Sequence, residues 1–322
     1  RTLMSEFEDL ISFIRKDINR CIIKIPIPDK PSYLYKPIRY ALKGEGKRFR
    51  PILTQLVGRA YKIDPNILMD ISLAIELLHN FTLVHDDIMD KDTIRHGQKT
   101  IHSKWDTSTA ILAGDGIYTI AQLILNKVEN NNRELIKCFN EVTLDICEGQ
   151  ALDKEFEDSK NITEDLYLAM IKKKTGSLIS ASAMLPSIIN NNAKKINKLY
   201  RLFGEYLGKG FQIHDDLLEI TSDVETMGKS LDSDIYGGKQ TLMVIKARTN
   251  FRKSWNDLIS ESKQSNLKKN IFKFMVDKGI LEDSQQTAKL YFSKSKLILE
   301  QLEDINTDEL YNFIEMVEKR TY

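Results

Sequence analysis

Apolar side chains return every three or four residues along much of this chain, the spacing that lines one face of an α-helix. Phe7, Leu10, Ile11 and Ile14 form one such stripe, and Ile67, Ile71, Leu73, Ile75 and Leu78 a second. Ile117, Ile120, Leu123 and Ile124 form a third; Leu199, Leu202, Phe203 and Tyr206 a fourth. Polar breaks at 129–133, 158–163 and 190–195 separate the stripes. Thr163, with Glu164 and Asp165 behind it, reads as a helix start, because a hydroxyl caps the first turn and acids suit its dipole. The Asn130 to Asn132 and Asn190 to Asn192 runs read as loops. The pattern predicts ten or more helices with short connections. Without a strand–helix–strand alternation or a linker rich in Pro, Gly or Ser, it predicts one large all-α domain over 1–322.

Composition agrees. Fifteen Gly and seven Pro make about 7% of the chain against an average near 12%, fewer than the tight turns of a sheet protein would use. A hydrophobic fraction of 42% supplies a substantial core. The 47 Lys and Arg against 46 Asp and Glu leave a net charge of +1, which argues against a nucleic-acid partner. Cys21, Cys138 and Cys147 are odd in number and lack zinc spacing, as in a reducing compartment. No unbroken apolar run approaches the roughly 20 residues of a membrane span. The best, 178–189, is interrupted by Ser180, Ser182 and Pro186, and the first residues lack an apolar leader. The expectation is a soluble cytoplasmic protein with no membrane anchor.

One internal echo carries the chemistry. His85-Asp86-Asp87-Ile88-Met89-Asp90 and His214-Asp215-Asp216-Leu217-Leu218-Glu219 share a pattern, 129 residues apart. On a helix, residues four apart lie on one face, so Asp86 with Asp90, and Asp215 with Glu219, align like charges that repel unless neutralised. All-oxygen donors fit a hard divalent cation such as Mg²⁺, which takes one or two carboxylates plus phosphate oxygens and water. Isolated basic sites surround these acids: Lys47 and Arg50, three apart and on one face if a helix starts there; Arg95-His96-Gly97; Lys172-Lys173-Lys174-Thr175-Gly176; and Lys229 and Lys239. Arg and Lys are the usual phosphate partners. A metal-bridged polyanion, a diphosphate, is the implied ligand.

With these residues in view, the sequence resembles the trans-isoprenyl diphosphate synthases from about Gly46 to Lys246. Asp86 to Asp90 and Asp215 to Glu219 look like the two acidic motifs of that family, and Gly46-Lys47-Arg48-Phe49-Arg50-Pro51 resembles its Gly-Lys-x-x-Arg-Pro signature. Lys174-Thr175, Phe211-Gln212, Gly228-Lys229 and Gly238-Lys239-Gln240-Thr241-Leu242 follow in family order. The run His79 to His85 is most similar to archaeal geranylgeranyl diphosphate synthases. The resemblance implies a helical bundle of the isoprenoid synthase type around a metal-lined cavity, and a homodimer.

It also implies roles. Asp86, Asp90 and Asp215 would ligate three Mg²⁺, with Mn²⁺ able to substitute, and Asp87, Asp216 and Glu219 would support them. The allylic diphosphate would be held by Arg95, Lys174, Lys229 and Lys239, with Thr175 and Gln212 facing the cation left when its diphosphate departs. Isopentenyl diphosphate would be held by Lys47, Arg50, His79 and His96, and its double bond would attack that cation. Two departures stand out: His96 replaces the usual second Arg, so that its charge depends on pH, and Glu219 replaces Asp.

Phe81 and Thr82 precede Asp86 by five and four residues on the same helix, at 1.5 Å per residue. A prenyl tail growing away from the metals would run past small Thr82 and stop at Phe81; by the family's rule the mixed pair implies a C20 product, with C15 or longer chains as alternatives. A terpene cyclase is a second reading, with a near match at Asn256-Asp257-Leu258-Ile259-Ser260 whose final acid is replaced by Gln264. A non-catalytic subunit is a third, opposed by two intact acidic clusters. His102, Trp105 and Trp255 read as packing or surface residues, and Lys319 and Arg320 as a solvated tail, with closure of the diphosphate site as the alternative.

Overall fold

A computed structural model describes residues 2–221 and 240–321. The described chain is helical apart from one short hairpin. In chain order the helices are α1 (Leu3–Ile23), α2 (Ser32–Leu42), α3 (Phe49–Ala60), α4 (Pro65–Asp90), α5 (Ile101–Lys104), α6 (Thr107–Asn126), α7 (Asn132–Glu157), α8 (Glu164–Ile171), α9 (Ser177–Ile189), α10 (Lys194–Thr221), α11 (Leu242–Asn250), α12 (Arg252–Glu261), α13 (Leu267–Asp277), α14 (Ile280–Glu300) and α15 (Asp308–Lys319). Strands β1 (Ile94–Arg95) and β2 (Gln98–Lys99) pair antiparallel between α4 and α5. One π-helical turn, Lys172–Gly176, joins α8 to α9.

The polar breaks mark helix ends as the pattern predicts: α6 stops at Asn126, α7 at Glu157 and α9 at Ile189. Thr163 caps α8, its hydroxyl accepting from the Leu166 amide at 3.2 Å. Asn131 and Asn191 take left-handed conformations in their turns (φ 50° and 57°), which Asn tolerates better than most residues. Leu123 departs from the pattern. It is 59% exposed, whereas Ile124 and Leu125 beside it are buried. Burial pushes the Cys138 thiol up to about 12.

The chain divides into two compact units. The first comprises Arg1–Thr143, Ser180–Arg201 and Leu302–Leu310. It is built on α4 packed along α6, with α1, α2 and α3 against them. The second comprises Leu144–Ile179, Leu202–Gln301 and Tyr311–Tyr322. Its core includes Tyr167, Phe292 and Ile271, all at most 2% exposed. Four of the five boundaries fall inside α7, α9, α10 and α15, and the fifth just after α14.

Two helices, α4 and α6, are long and apolar enough to cross a membrane by length and composition. Neither contains an unbroken apolar run of that length, because scattered polar residues interrupt each one. Burial explains α4: 61% of its apolar window lies inside the protein, and its Glu76 is ion-paired to Arg48 there. A core helix satisfies the same test.

Candidate active site

The first acidic motif forms the last turn of α4. Asp86, Asp87 and Asp90 thus sit at the negative end of the helix dipole, where carboxylates are unfavourable unless positive charge compensates. For Asp87 that charge is Arg95. Asp87 is 4% exposed; Arg95 donates to it from Nε at 2.9 and 3.0 Å and from Nη2 at 2.6 Å. The hairpin delivers Arg95. Lys91 ends α4 in a left-handed conformation, and His96 and Gly97 (φ 49° and 74°) make the two-residue turn that folds β2 back on β1. Two successive positive φ values are what such tight hairpins require.

The second motif lies near the described end of α10 and repeats this division of roles. Asp216 is 6% exposed; it accepts from the Tyr167 hydroxyl and from Gln212 Nε2 at 3.1 Å. The two histidines correspond as well. His85 Nε2 donates to the Ile111 carbonyl at 3.0 Å, and His214 Nε2 to the Arg320 carbonyl at 2.8 Å. In each motif the His and the second Asp anchor the helix end, while the first and last acids are only partly buried. Asp87 and Asp216 are therefore held in the turn by protein partners, while Asp86 with Asp90, and Asp215 with Glu219, are like-charged pairs that a cation would neutralise; Asp215 already meets one positive charge, the Arg320 guanidinium.

Among the described residues no three His, Cys, Asp or Glu side chains form a ready-made metal cage. Mg²⁺ does not need one, since it keeps waters and takes substrate phosphate oxygens beside one or two carboxylates. The donor set of oxygen-only pairs fits that ion and not a thiolate- or imidazole-seeking one.

Around the first motif, Lys47 and Arg50 flank the start of α3. Lys47 precedes the helix, so the shared helical face expected for the pair does not form; Arg48 intervenes as the N-cap in a left-handed conformation. Arg50 Nη1 lies 3.4 Å from His79 Nε2. The guanidinium can only donate, so this imidazole nitrogen accepts. Burial, and then the Arg50 charge, hold His79 well below its usual value; burial, and then Arg95, lower His96. Both rings are neutral at neutral pH. Phe81 meets the His85 ring at 4.9 Å and the Tyr118 ring at 5.2 Å, and Tyr118 stacks on Phe139. The Thr82 hydroxyl bonds back to the His79 carbonyl at 2.7 Å.

Around the second motif, the π-helical turn presents Lys174 and Thr175. Lys174 Nζ pairs with Asp153 of α7 at 2.6 Å, and the Thr175 hydroxyl donates to Gln212 Oε1 at 3.1 Å. A chain of hydrogen bonds thus runs from Thr175 through Gln212 to Asp216 and Tyr167. Glycines let the turn sit this close. An added Cβ on Gly149 would stand 2.4 Å from the Lys174 nitrogen, and one on Gly208 would stand 2.5 Å from the Gly176 Cα.

Sequence reasoning missed Asp153 and Tyr167, whose only signal is an acid and an aromatic inside helical stripes. The solvated-tail reading of Arg320 is overturned. Its guanidinium pairs with Asp215, donates to the Phe211 carbonyl at 3.2 Å and stacks 3.8 Å over the Phe211 ring. Lys319 is a surface residue, 64% exposed beside Glu315. Asn256, Asp257 and Ser260 are exposed on α12, away from any acidic motif in sequence. Gln240 is buried and bonds to the Phe156 and Ser159 carbonyls at 3.0 Å. Lys229 and Lys239, with Gly228 and Gly238, lie outside the described residues.

The chain is similar in sequence and fold to known proteins. A family model described as polyprenyl synthetase matches residues 31–275. A geranylgeranyl pyrophosphate synthase of Geoglobus acetivorans is 37% identical over 302 residues, covering 92% of this chain and 94% of that protein. A geranylfarnesyl diphosphate synthase of Natronomonas pharaonis is 32% identical over 266 residues, covering 77% and 78%. The crystal structure of geranylgeranyl pyrophosphate synthetase from Pyrococcus horikoshii superposes with a TM-score of 0.86 at 30% identity, covering 98% of this chain and 99% of that one.

Proposed function

Because the chain belongs to the polyprenyl synthetase family, we propose that it is a trans-prenyltransferase that joins isopentenyl diphosphate to allylic diphosphates and releases geranylgeranyl diphosphate, C20. The fold is the all-α isoprenoid synthase fold, and the family implies prenyl diphosphate substrates. The observation that carries the reading is the twin motif. Two helix ends each hold a pair of partly buried acids, while a buried second Asp and a histidine fix the turn behind them.

Prenyl transfer in this family uses a divalent metal. Asp86, Asp90 and Asp215 would hold three Mg²⁺, and bound there the metal supplies Lewis-acid stabilisation of a departing diphosphate. The remaining tasks fall to side chains. Lys47 and Arg50 hold the isopentenyl diphosphate as cations; His79, kept neutral by burial, and His96 add hydrogen bonds without adding charge. Arg95, oriented by Asp87, and Lys174, oriented by Asp153, hold the allylic diphosphate together with Lys229 and Lys239. Thr175 and Gln212 turn oxygens toward the reacting carbons and stabilise positive charge there. Asp216 and Glu219 orient the second motif. The isopentenyl double bond is the nucleophile and the departing diphosphate accepts the final proton, so neither a nucleophilic nor a basic side chain is needed.

Phe81, backed by Tyr118, limits the prenyl tail. That stack supports C20 over C25, although a relative is named for the longer product. The two units act as one catalytic domain over 1–322, in a cytoplasmic homodimer. The test is incubation with isopentenyl diphosphate and farnesyl, geranyl or dimethylallyl diphosphate, with and without Mg²⁺. Metal-dependent formation of a C20 product is expected; no elongation with any primer refutes the assignment.

A further inference from the structure

Between α2 and α3 the basic segment buries Arg48 more deeply than either Lys47 or Arg50. Arg48 is 7% exposed and left-handed at φ 58°, a conformation unfavourable for a non-glycine residue that persists only where surroundings enforce it. Three contacts enforce it. Nε donates to Asn19 Oδ1 of α1 at 2.8 Å, Nη1 to Glu76 Oε1 of α4 at 2.8 Å, and Nη2 to the Gly44 carbonyl at 2.6 Å. From the same helix as Asn19, Arg15 Nε donates to the Lys47 carbonyl at 3.0 Å.

The arrangement is a two-rung ladder on α4. Glu76 stands three residues before His79, just under one turn. Arg48 takes the first rung on Glu76 and Arg50 the second on His79. Glu76 neutralises Arg48 in a site where both side chains are 5% exposed, so Arg48 brings no net charge to a bound anion. What it fixes is register: with the first rung locked, Arg50 reaches His79 and Lys47 is held at the mouth of the loop.

We propose that Arg48 is a positioning residue for isopentenyl diphosphate, acting through Glu76 and Asn19 to set Lys47, Arg50 and His79. This rests on the reading of those three residues given under the proposed function. A fork donating in three directions cannot be replaced by Lys or by an apolar chain of similar length.

The test is steady-state kinetics of the full chain with each substrate varied in turn. Lys47→Ala and Arg50→Ala probe the underlying reading; Arg48→Met and Asn19→Ala probe the inference. Arg48→Met is expected to raise the KM for isopentenyl diphosphate by about tenfold, with the KM for the allylic diphosphate held within about twofold. Asn19→Ala, which removes a half-buried partner, is expected to give a smaller selective rise. Equal changes in both KM values, or no change in either, overturn the inference, because a merely structural pair would not single out one substrate. Should Arg48→Met fail to fold, Asn19→Ala decides: a selective rise supports the inference and an unchanged KM overturns it. If Lys47→Ala and Arg50→Ala raise the isopentenyl diphosphate KM while Arg48→Met and Asn19→Ala do not, the inference falls alone. If Lys47→Ala and Arg50→Ala leave it unchanged, the reading falls and the inference with it.

Discussion

Adding one methyl group at Gly149 is expected to disable the enzyme without unfolding it. The new Cβ would lie 2.4 Å from the Lys174 nitrogen, 2.7 Å from its Cα and 2.8 Å from its Cβ, whereas ordinary contact begins at 3.4 Å. The neighbour is backbone and cannot swing aside, so α7 and the π-helical turn must part by about 1 Å. Asp153 lies one turn along α7 from Gly149, and its 2.6 Å pairing with Lys174 would stretch toward 3.6 Å, beyond hydrogen-bond range. Overpacking of this kind costs about 1–3 kcal/mol, a fall of several degrees in melting temperature. A displacement of about 1 Å at a binding group costs up to about a hundredfold in rate. The assay is turnover of isopentenyl and allylic diphosphates, with thermal unfolding measured in parallel. Gly116→Ala is the control, because its Cβ would meet only the flexible Ile38 Cδ1, at 2.8 Å, and Leu34 Cδ1, at 3.2 Å. Wild-type turnover in Gly149→Ala would refute the claim that backbone contact at the turn places Lys174.

Two further outcomes are expected. His79 titrates below its ordinary value when folded, so the unfolded chain takes the proton first as pH falls. The stability tied to a neutral His79 is therefore complete above about 6.5 and is lost as pH drops through the folded value; the melting temperature between pH 7.5 and 5 should fall less steeply in His79→Gln. Phe81→Ala is expected to lengthen the product, read by chromatography, and an unchanged product distribution would remove Phe81 from control of chain length.

Much of the candidate site was legible because the chemistry proposed for it needs unusual letters. Two His-Asp-Asp runs cannot be mistaken for amphipathic stripe, and the Gly-Lys-x-x-Arg-Pro pattern names Lys47 and Arg50. Helix ends were legible for the same local reasons: Thr163 caps its own helix, and Asn131 and Asn191 sit at left-handed turns. What stayed hidden depends on partners remote in sequence. Asp153 meets Lys174 from 21 residues away and Tyr167 meets Asp216 from 49, and each alone is an ordinary helical residue. Arg320 reads as a tail because nothing near it announces Asp215, 105 residues back. Arg48 occupies a variable place in its motif, and its inward turn is set by Asn19 and Glu76. The expected helical face shared by Lys47 and Arg50 failed because α3 begins at Phe49, after Lys47.

The π-helical turn also makes chain length itself informative. A wide turn is an α-helix holding one surplus residue, so α9 runs out of phase with α8 by one residue's rotation, about 100°. Tyr167 and Met170 before the turn, and every residue from Ser177 to Ile189 after it, are buried with that phase step in place. Deleting a single residue between Lys172 and Gly176 would leave every remaining side chain chemically intact and a more regular helix behind. It would nonetheless rotate the whole of α9, which is buried on every side, and disrupt the packing of each of its faces. Insertions and deletions in this segment are therefore far more damaging than substitutions at Lys172 or Lys173.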